Sequence, residues 1–286
     1  MSTTAGVLIG FDGSRQAAQA IEIAAQLLPG HACQVANLWS PPYFDEDIRA
    51  RLWPADGNMD DFQAAVEHEG EAEARRLTTE GLALATAAGW RAEALLHRCY
   101  GDPGFELARL ARQEGADLVV VGSRGLSGVR AMLGSTSDGL VHYSPVPVLV
   151  IPYPLLDRER RAAAAGPVLV AGDGSPGAAK ALEVTQSLFR GRAVDVAAVG
   201  FDEADPGLDQ PGVTVLKPEG VLSSARAIAD ALAHHARDID ASMIAVGSRG
   251  QAVHRELLIG SAAMAVLHHA HRPVLVVPNP DKPALP

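Results

Sequence analysis

No apolar run in the sequence approaches the ~20 residues that a membrane-spanning helix needs. The opening MSTTAG has neither the basic region nor the apolar core of a secretory signal, so the expected location is the cytoplasm, with no membrane partner. Cysteine is scarce. Cys33 and Cys99 are the only two, each in or beside an expected strand, and they read as buried thiols rather than a disulfide or a metal site. Positive charge is short as well: 24 Lys and Arg stand against 34 Asp and Glu, and the net charge of -10 works against extended contact with nucleic-acid phosphates. There is no nucleophile elbow and no H-E-x-x-H. A phosphate loop of the Gly-Lys-(Ser/Thr) kind is missing too, because Ala178 follows Gly177.

What is present is one plan used twice. The 286 residues suffice for two domains of ordinary size, and 48% hydrophobic with 20% charged residues is a globular balance. In the first copy the spacing predicts a strand at Val7-Leu8-Ile9, a helix from Ser14 to about Gly30, a strand over CQVANLW and a long helix from about Asp60 to Ala88. A strand over AEALLHR, a helix bounded by Pro103 and Gly115, a strand at Leu118–Val121, a helix from Ser135 and a last strand in VPVLVIP complete it. The second copy repeats the order through PVLVAGDGS, a helix closing at Leu188, VDVAAV, VTVL, a helix from Ser223, SMIAVGSRG and RPVLVVP. From Asp12 to Gly122 is 110 positions, but from Asp173 to Gly247 only 74, so the second copy lacks the long helix after its second strand. The charged, alanine-rich YPLLDRERRAAAAG between the copies suits a linker or short surface helix, with the boundary near Arg160. The domains are then expected at 1–157 and, shorter, at 165–280.

Uninterrupted apolar strands alternating with amphipathic helices indicate an α/β fold of two tandem doubly wound five-stranded parallel-sheet domains. Binding crevices in such sheets lie at the carboxyl ends of the strands, and there the chain has GSRGLSGVRAMLGS (122–135) and GSRGQAVHRELLIGS (247–261). Gly122 and Gly125 would permit positive φ and let backbone amides converge on an anion. Gly134-Ser135 and Gly260-Ser261 would then start a helix whose unpaired amides attract negative charge. Ser135 and Asp138 fit a capping box. The plain alternative is that the glycines serve turn geometry alone, and their recurrence at the same junction counts against it.

DGS after the first strand, GSRG after the fourth, a later GS and a closing PVLV resemble the universal stress protein family in a tandem arrangement covering nearly the whole chain. The resemblance implies an adenine nucleotide alpha hydrolase-like, Rossmann-like fold and the ATP-binding pattern Gly-x2-Gly-x9-Gly-(Ser/Thr). Gly247, Gly250, Gly260 and Ser261 match it fully; Gly122, Gly125, Gly134 and Ser135, with Thr136 beside them, match it one residue short. It further implies that Asp12 and Asp173 contact the ribose, that Leu38 and Val199 mark the backbone facing adenine, and that Arg124 and Arg249 flank the phosphates. The ligand implied is ATP, with AMP or another adenine nucleotide as alternatives and Mg as the accompanying ion. The activity implied is regulation in the stress response, without chemistry beyond slow incidental hydrolysis. Family domains pair through their last strands, which implies a pseudo-dimer within this chain and allows a homodimer. The alternatives are a nucleotide-free protein-interaction scaffold and, from GDGSPG at 172–177, a nicotinamide-dependent oxidoreductase. Against the latter, the first copy lacks the motif and Asp195 falls near the start of its strand rather than the end. No Asp, Glu or Cys stands at helix-compatible ligand spacing to His268, His269 and His271, which read as a helix end.

Overall fold

The computed structural model describes residues 6–54, 57–123, 134–200, 212–217, 224–248 and 259–279. The first half runs β1 (Gly6–Gly10), α1 (Arg15–Leu27), β2 (Ala32–Trp39), α2 (Glu46–Leu52), α3 (Met59–Ala87), β3 (Arg91–Arg98), α4 (Pro103–Gln113), β4 (Leu118–Gly122), α5 (Ser135–Tyr143) and β5 (Val148–Ile151). After α6 (Asp157–Ala165) come β6 (Val168–Ala171), α7 (Pro176–Leu188), β7 (Val194–Val199), β8 (Val213–Leu216), α8 (Ala225–Asp238), β9 (Met243–Gly247), α9 (Ser261–His269) and β10 (Val274–Val277).

The strands form one ten-stranded sheet in the order β3-β2-β1-β4-β5-β10-β9-β6-β7-β8. Within each half every pairing is parallel, and β5 meets β10 antiparallel. Val150 faces Val274, Leu149 faces Leu275 and Val148 faces Val276, so the equivalent leucines of the two PVLV segments oppose each other at the centre of the junction. Each half thereby covers the apolar edge that the other would expose. β4, β5, β9 and β10 are buried apolar runs because helices cover both of their faces. One face carries Ile21, Ile23, Leu27 and Ala163, and the other carries Leu107, Leu140, Leu232 and Val266. Burying a side chain of this size contributes roughly 1.5–3 kcal/mol.

Helix starts follow local chemistry. The side chains of Ser14, Asp45, Asn58, Asp102, Ser175 and Ser224 each accept a first-turn amide of the helix they precede. The expected linker is α6, but it is more than a surface helix: Ala163 is fully buried in the core, and Arg160 reaches Glu22 at 2.9 Å and Gln19 at 2.8 Å on α1. Arg192 adds a tie from the second half, donating to the Gln26 carbonyl of α1 at 2.7 Å. Between β2 and β3 the short α2 precedes the expected long helix, and sequence periodicity did not reveal it. Only residues 200–212 connect β7 to β8, too few for a counterpart of the 29-residue α3. Both cysteines are buried free thiols, as expected.

Candidate functional site

Strand register assembles the expected site residues on equivalent rims. In the first half Gly10 pairs with Ala36 and Ile9 with Val120, so continuing the ladder brings Asp12 level with Leu38 and Phe11 level with Gly122. In the second, Ala171 pairs with Ala197 and Val170 with Ala245, which brings Asp173 level with Val199 and Gly172 level with Gly247. Each crevice is thus lined by the carboxyl ends of three adjacent strands.

The two DGS turns are built alike. Asp12 Oδ1 accepts the Ser14 amide and Asp173 Oδ1 accepts the Ser175 amide, both at 3.0 Å, while each serine hydroxyl caps its helix. Gly13 and Gly174 between them adopt φ of 79° and 72°, a conformation that favours glycine. The aspartates therefore do have a turn role, and it uses one carboxylate oxygen. Asp12 is also solvent-exposed at the crevice. The surroundings differ. Asn37 Nδ2 donates to the Phe11 carbonyl at 2.8 Å, and Leu77 of α3 lies where a Cβ on Gly13 would come within 2.5 Å. At the position equivalent to Asn37 the second half has Ala198, and among its described residues there is no helix corresponding to α3.

Gly122 answers to packing rather than to the expected positive φ, and Gly247 does the same in the second half. Neither lies among the positive-φ glycines. A Cβ on Gly122 would stand 2.7 Å from the carbonyl of Gln16, and one on Gly247 would stand 2.7 Å from that of Gly177, because the first turn of α1 or α7 rests directly on the strand end. The amides that follow are not free either: Ser123 donates to Ile151 at 2.8 Å and Ser248 to Val277 at 2.7 Å. Ser248, 1% exposed, is a hub that sequence reasoning missed. Its carbonyl accepts the Gly260 amide at 2.6 Å and its hydroxyl the Asn279 amide at 3.0 Å, which fixes the start of α9 beside the end of β9. A single buried serine just past the end of a strand leaves no periodic trace.

The starts of α5 and α9 are where an anion seat was expected. Gly134 and Gly260 are the N-cap residues, and neither makes a side-chain capping bond, unlike the six capped helices. The capping box expected from Ser135 and Asp138 does not form, since Ser135 is already the first helical residue. The Ser137 hydroxyl instead donates to the Gly134 carbonyl at 3.0 Å. Ser135 and Ser261 are exposed, and Thr136 is half-buried with its carbonyl against Gly104 at the start of α4. First-turn amides with the positive end of a helix dipole behind them attract anions. Gly125, Gly250, Arg124 and Arg249 lie outside the described residues. Among the described residues no group of three or more His, Cys, Asp or Glu is placed to hold a metal.

A family model described as the universal stress protein family matches residues 6–152 and 221–278. The chain belongs to the universal stress protein family. A universal stress protein of Mycobacterium tuberculosis is 27% identical over 328 aligned positions, covering 99% of this chain and 98% of the relative. One from Thermus aquaticus is 31% identical over 155, covering 51% of this chain and 96% of the relative. Among solved structures, the crystal structure of a universal stress protein from Archaeoglobus fulgidus superimposes with a TM-score of 0.69 at 22% identity, over 98% of this chain and 100% of that one. This universal stress protein therefore shares its full-length architecture with other chains of the family.

Proposed function

We infer that the protein is an ATP-binding regulatory module of the stress response, cytoplasmic, with one nucleotide seat in each half. The observation that carries this reading is the pair of uncapped helix starts at Gly134 and Gly260. Each follows the strand whose end is level with a DGS turn, and together they offer amides for phosphates and a carboxylate for ribose hydroxyls. In this reading Asp12, Leu38, Gly134, Ser135 and Thr136 line the first seat, and Asp173, Val199, Gly260 and Ser261 the second. Gly122 and Gly247 act indirectly, by letting helix and strand approach. Gly125 and Gly250 keep the roles that the family pattern implies, Mg accompanies the phosphates, and AMP or another adenine nucleotide competes for the same seats. The two halves, 1–157 and 165–280, act as a pseudo-dimer joined through β5 and β10, with a homodimer as a further level of assembly. The module holds nucleotide without performing chemistry on it.

Calorimetry tests the reading. Wild-type protein titrated with ATP is expected to show binding, and Gly260→Asp, which puts a carboxylate on the helix start, is expected to abolish one site. A second reading, a scaffold that binds no nucleotide, draws support from the packing role of Gly122 and Gly247 and from the engaged Ser123 and Ser248 amides. It takes over if wild type shows no heat with ATP, ADP or AMP.

A further inference from the structure

The segment between β2 and β3 carries more than the fold requires. The second half builds the same strand order with only residues 200–212 at this point, so neither α2 nor α3 is needed to form such a sheet. Yet α2 is a helix with no buried residue, held at the end of α3 and flanked by large apolar side chains in water. Phe44 is 96% exposed, Met59 52% and Trp53 48%, and Tyr100, two residues past the end of β3, is 74% exposed. Scattered exposed apolar residues are ordinary; a cluster of aromatics on one surface marks a place of contact.

These side chains are linked along the first turns of α3. Trp53 packs against Phe62 with ring centroids 5.0 Å apart, and Met59 lies one turn before Phe62. Five residues further along α3, Glu67 takes hydrogen bonds from Arg98 at 2.6 Å and from the Tyr43 hydroxyl at 2.8 Å. The Arg98 guanidinium stands over both Trp39 and Tyr100, at 5.5 and 4.9 Å from their ring centres. The Trp39 ring itself lies against Gly70, where a Cβ would come within 3.1 Å. Trp39, Trp53 and Tyr100 are thus each held by a ring or cation contact, and side chains held in advance lose little entropy on binding.

Charge selects the occupant. From Asp45 to Arg76 the chain has ten Asp or Glu against four Arg, so this stretch holds six of the ten net negative charges. Glu71 and Glu73 are paired with Arg75 and Arg76, whereas Asp45, Glu46, Asp47, Asp60 and Asp61 stand exposed at the same end of α3 as the aromatic side chains. A second copy docking through the same face would set like charge on like, and nucleic acid or an anionic lipid surface would be repelled. We propose that the face formed by α2, the first turns of α3 and Tyr100 is a docking surface for a cationic protein segment with apolar anchors. The acids steer and orient such a segment, and Phe44, Trp53, Met59 and Tyr100 bury its apolar side chains.

The test uses the full chain and a labelled sixteen-residue peptide of alternating Lys and Leu pairs, with a Lys/Ser peptide and a Glu/Leu peptide as controls, followed by fluorescence anisotropy. The Lys/Leu peptide is expected to bind, more weakly as salt rises, and both controls are expected to bind at least about tenfold more weakly. Phe44→Ser removes an anchor that is almost wholly in solvent and does not threaten folding; it is expected to weaken binding by about tenfold. Asp47→Lys with Asp61→Lys is expected to do the same while leaving ATP calorimetry unchanged. The proposal is overturned if the Lys/Leu peptide does not bind, or if it binds both variants as it binds wild type. It is also overturned if sedimentation shows a wild-type dimer that Phe44→Ser dissociates, since a second copy would then own the face. Failure of ATP binding would leave these outcomes untouched.

Discussion

Replacing Gly247 by alanine puts a methyl group where the structure leaves no room for one. Its ideal position lies 2.7 Å from the carbonyl carbon and oxygen of Gly177 and 3.1 Å from the Gly177 Cα. All three atoms are backbone in the first turn of α7, so no side chain can swing aside. Carbon atoms in comfortable contact sit about 3.5–4.0 Å apart, so the start of α7 must retreat from β9 by on the order of 1 Å. Overpacking of this kind costs about 1–3 kcal/mol, and an obstacle made of backbone belongs at the upper end. With a midpoint shift of roughly 2–4 °C per kcal/mol for a chain of this size, thermal unfolding followed by circular dichroism is expected to move down by roughly 5–10 °C. Gly122→Ala meets the Gln16 carbonyl at the same 2.7 Å and is expected to cost as much. Both losses should occur with no nucleotide in the cell. A Gly247→Ala protein that melts with wild type, yet no longer takes up ATP, would refute the packing argument and return this glycine to direct ligand contact.

Gly260→Asp should behave in the opposite way: an aspartate supplies the missing cap, so its melting temperature is expected to hold or rise by the equivalent of a few tenths of a kcal/mol while calorimetric ATP binding at that site is lost. Burial pushes the Cys33 thiol up to about 12, so Ellman's reagent at pH 8 is expected to leave it unmodified until denaturant is added. At Glu106, the Arg109 guanidinium and then His97 hold the carboxyl below the usual range. Its contribution is present above the unfolded value and is lost as pH falls through the lower folded one, so Glu106→Gln is expected to flatten the acid limb of a plot of urea midpoint against pH. Expressed as separate chains divided near Arg160, the two halves are expected to copurify through β5 and β10, and clean separation on a sizing column would end the pseudo-dimer reading.

Every strand and most helices were legible in the sequence because each was a short apolar run or an amphipathic period closed by Gly, Pro or a capping serine. Even the missing long helix showed as a shortfall in spacing. What escaped was decided by contacts distant in sequence. The short α2 buries no side chain, so it has no apolar stripe to read. Ser248 owes its role to Gly260 and Asn279, and Asn37 owes its role to Phe11, partners that no local pattern announces. At Gly122, positive φ was expected where the structure has a requirement for close helix packing, and the two look identical in a string of letters. Asp12 and Asp173 were legible as a repeated pair, while the difference between their settings, Leu77 and Asn37 on one side and Ala198 on the other, needed coordinates.

The antiparallel meeting of β5 and β10 also governs direction. Because Leu149 and Leu275 face each other across a near two-fold centre, the carboxyl ends of the first five strands point to one margin of the shared sheet and those of the other five to the opposite margin. Whatever occupies one hollow looks away from the other. No rigid visitor of modest size can inspect both at once, and the two halves are left to diverge in what they admit while remaining welded along a common spine.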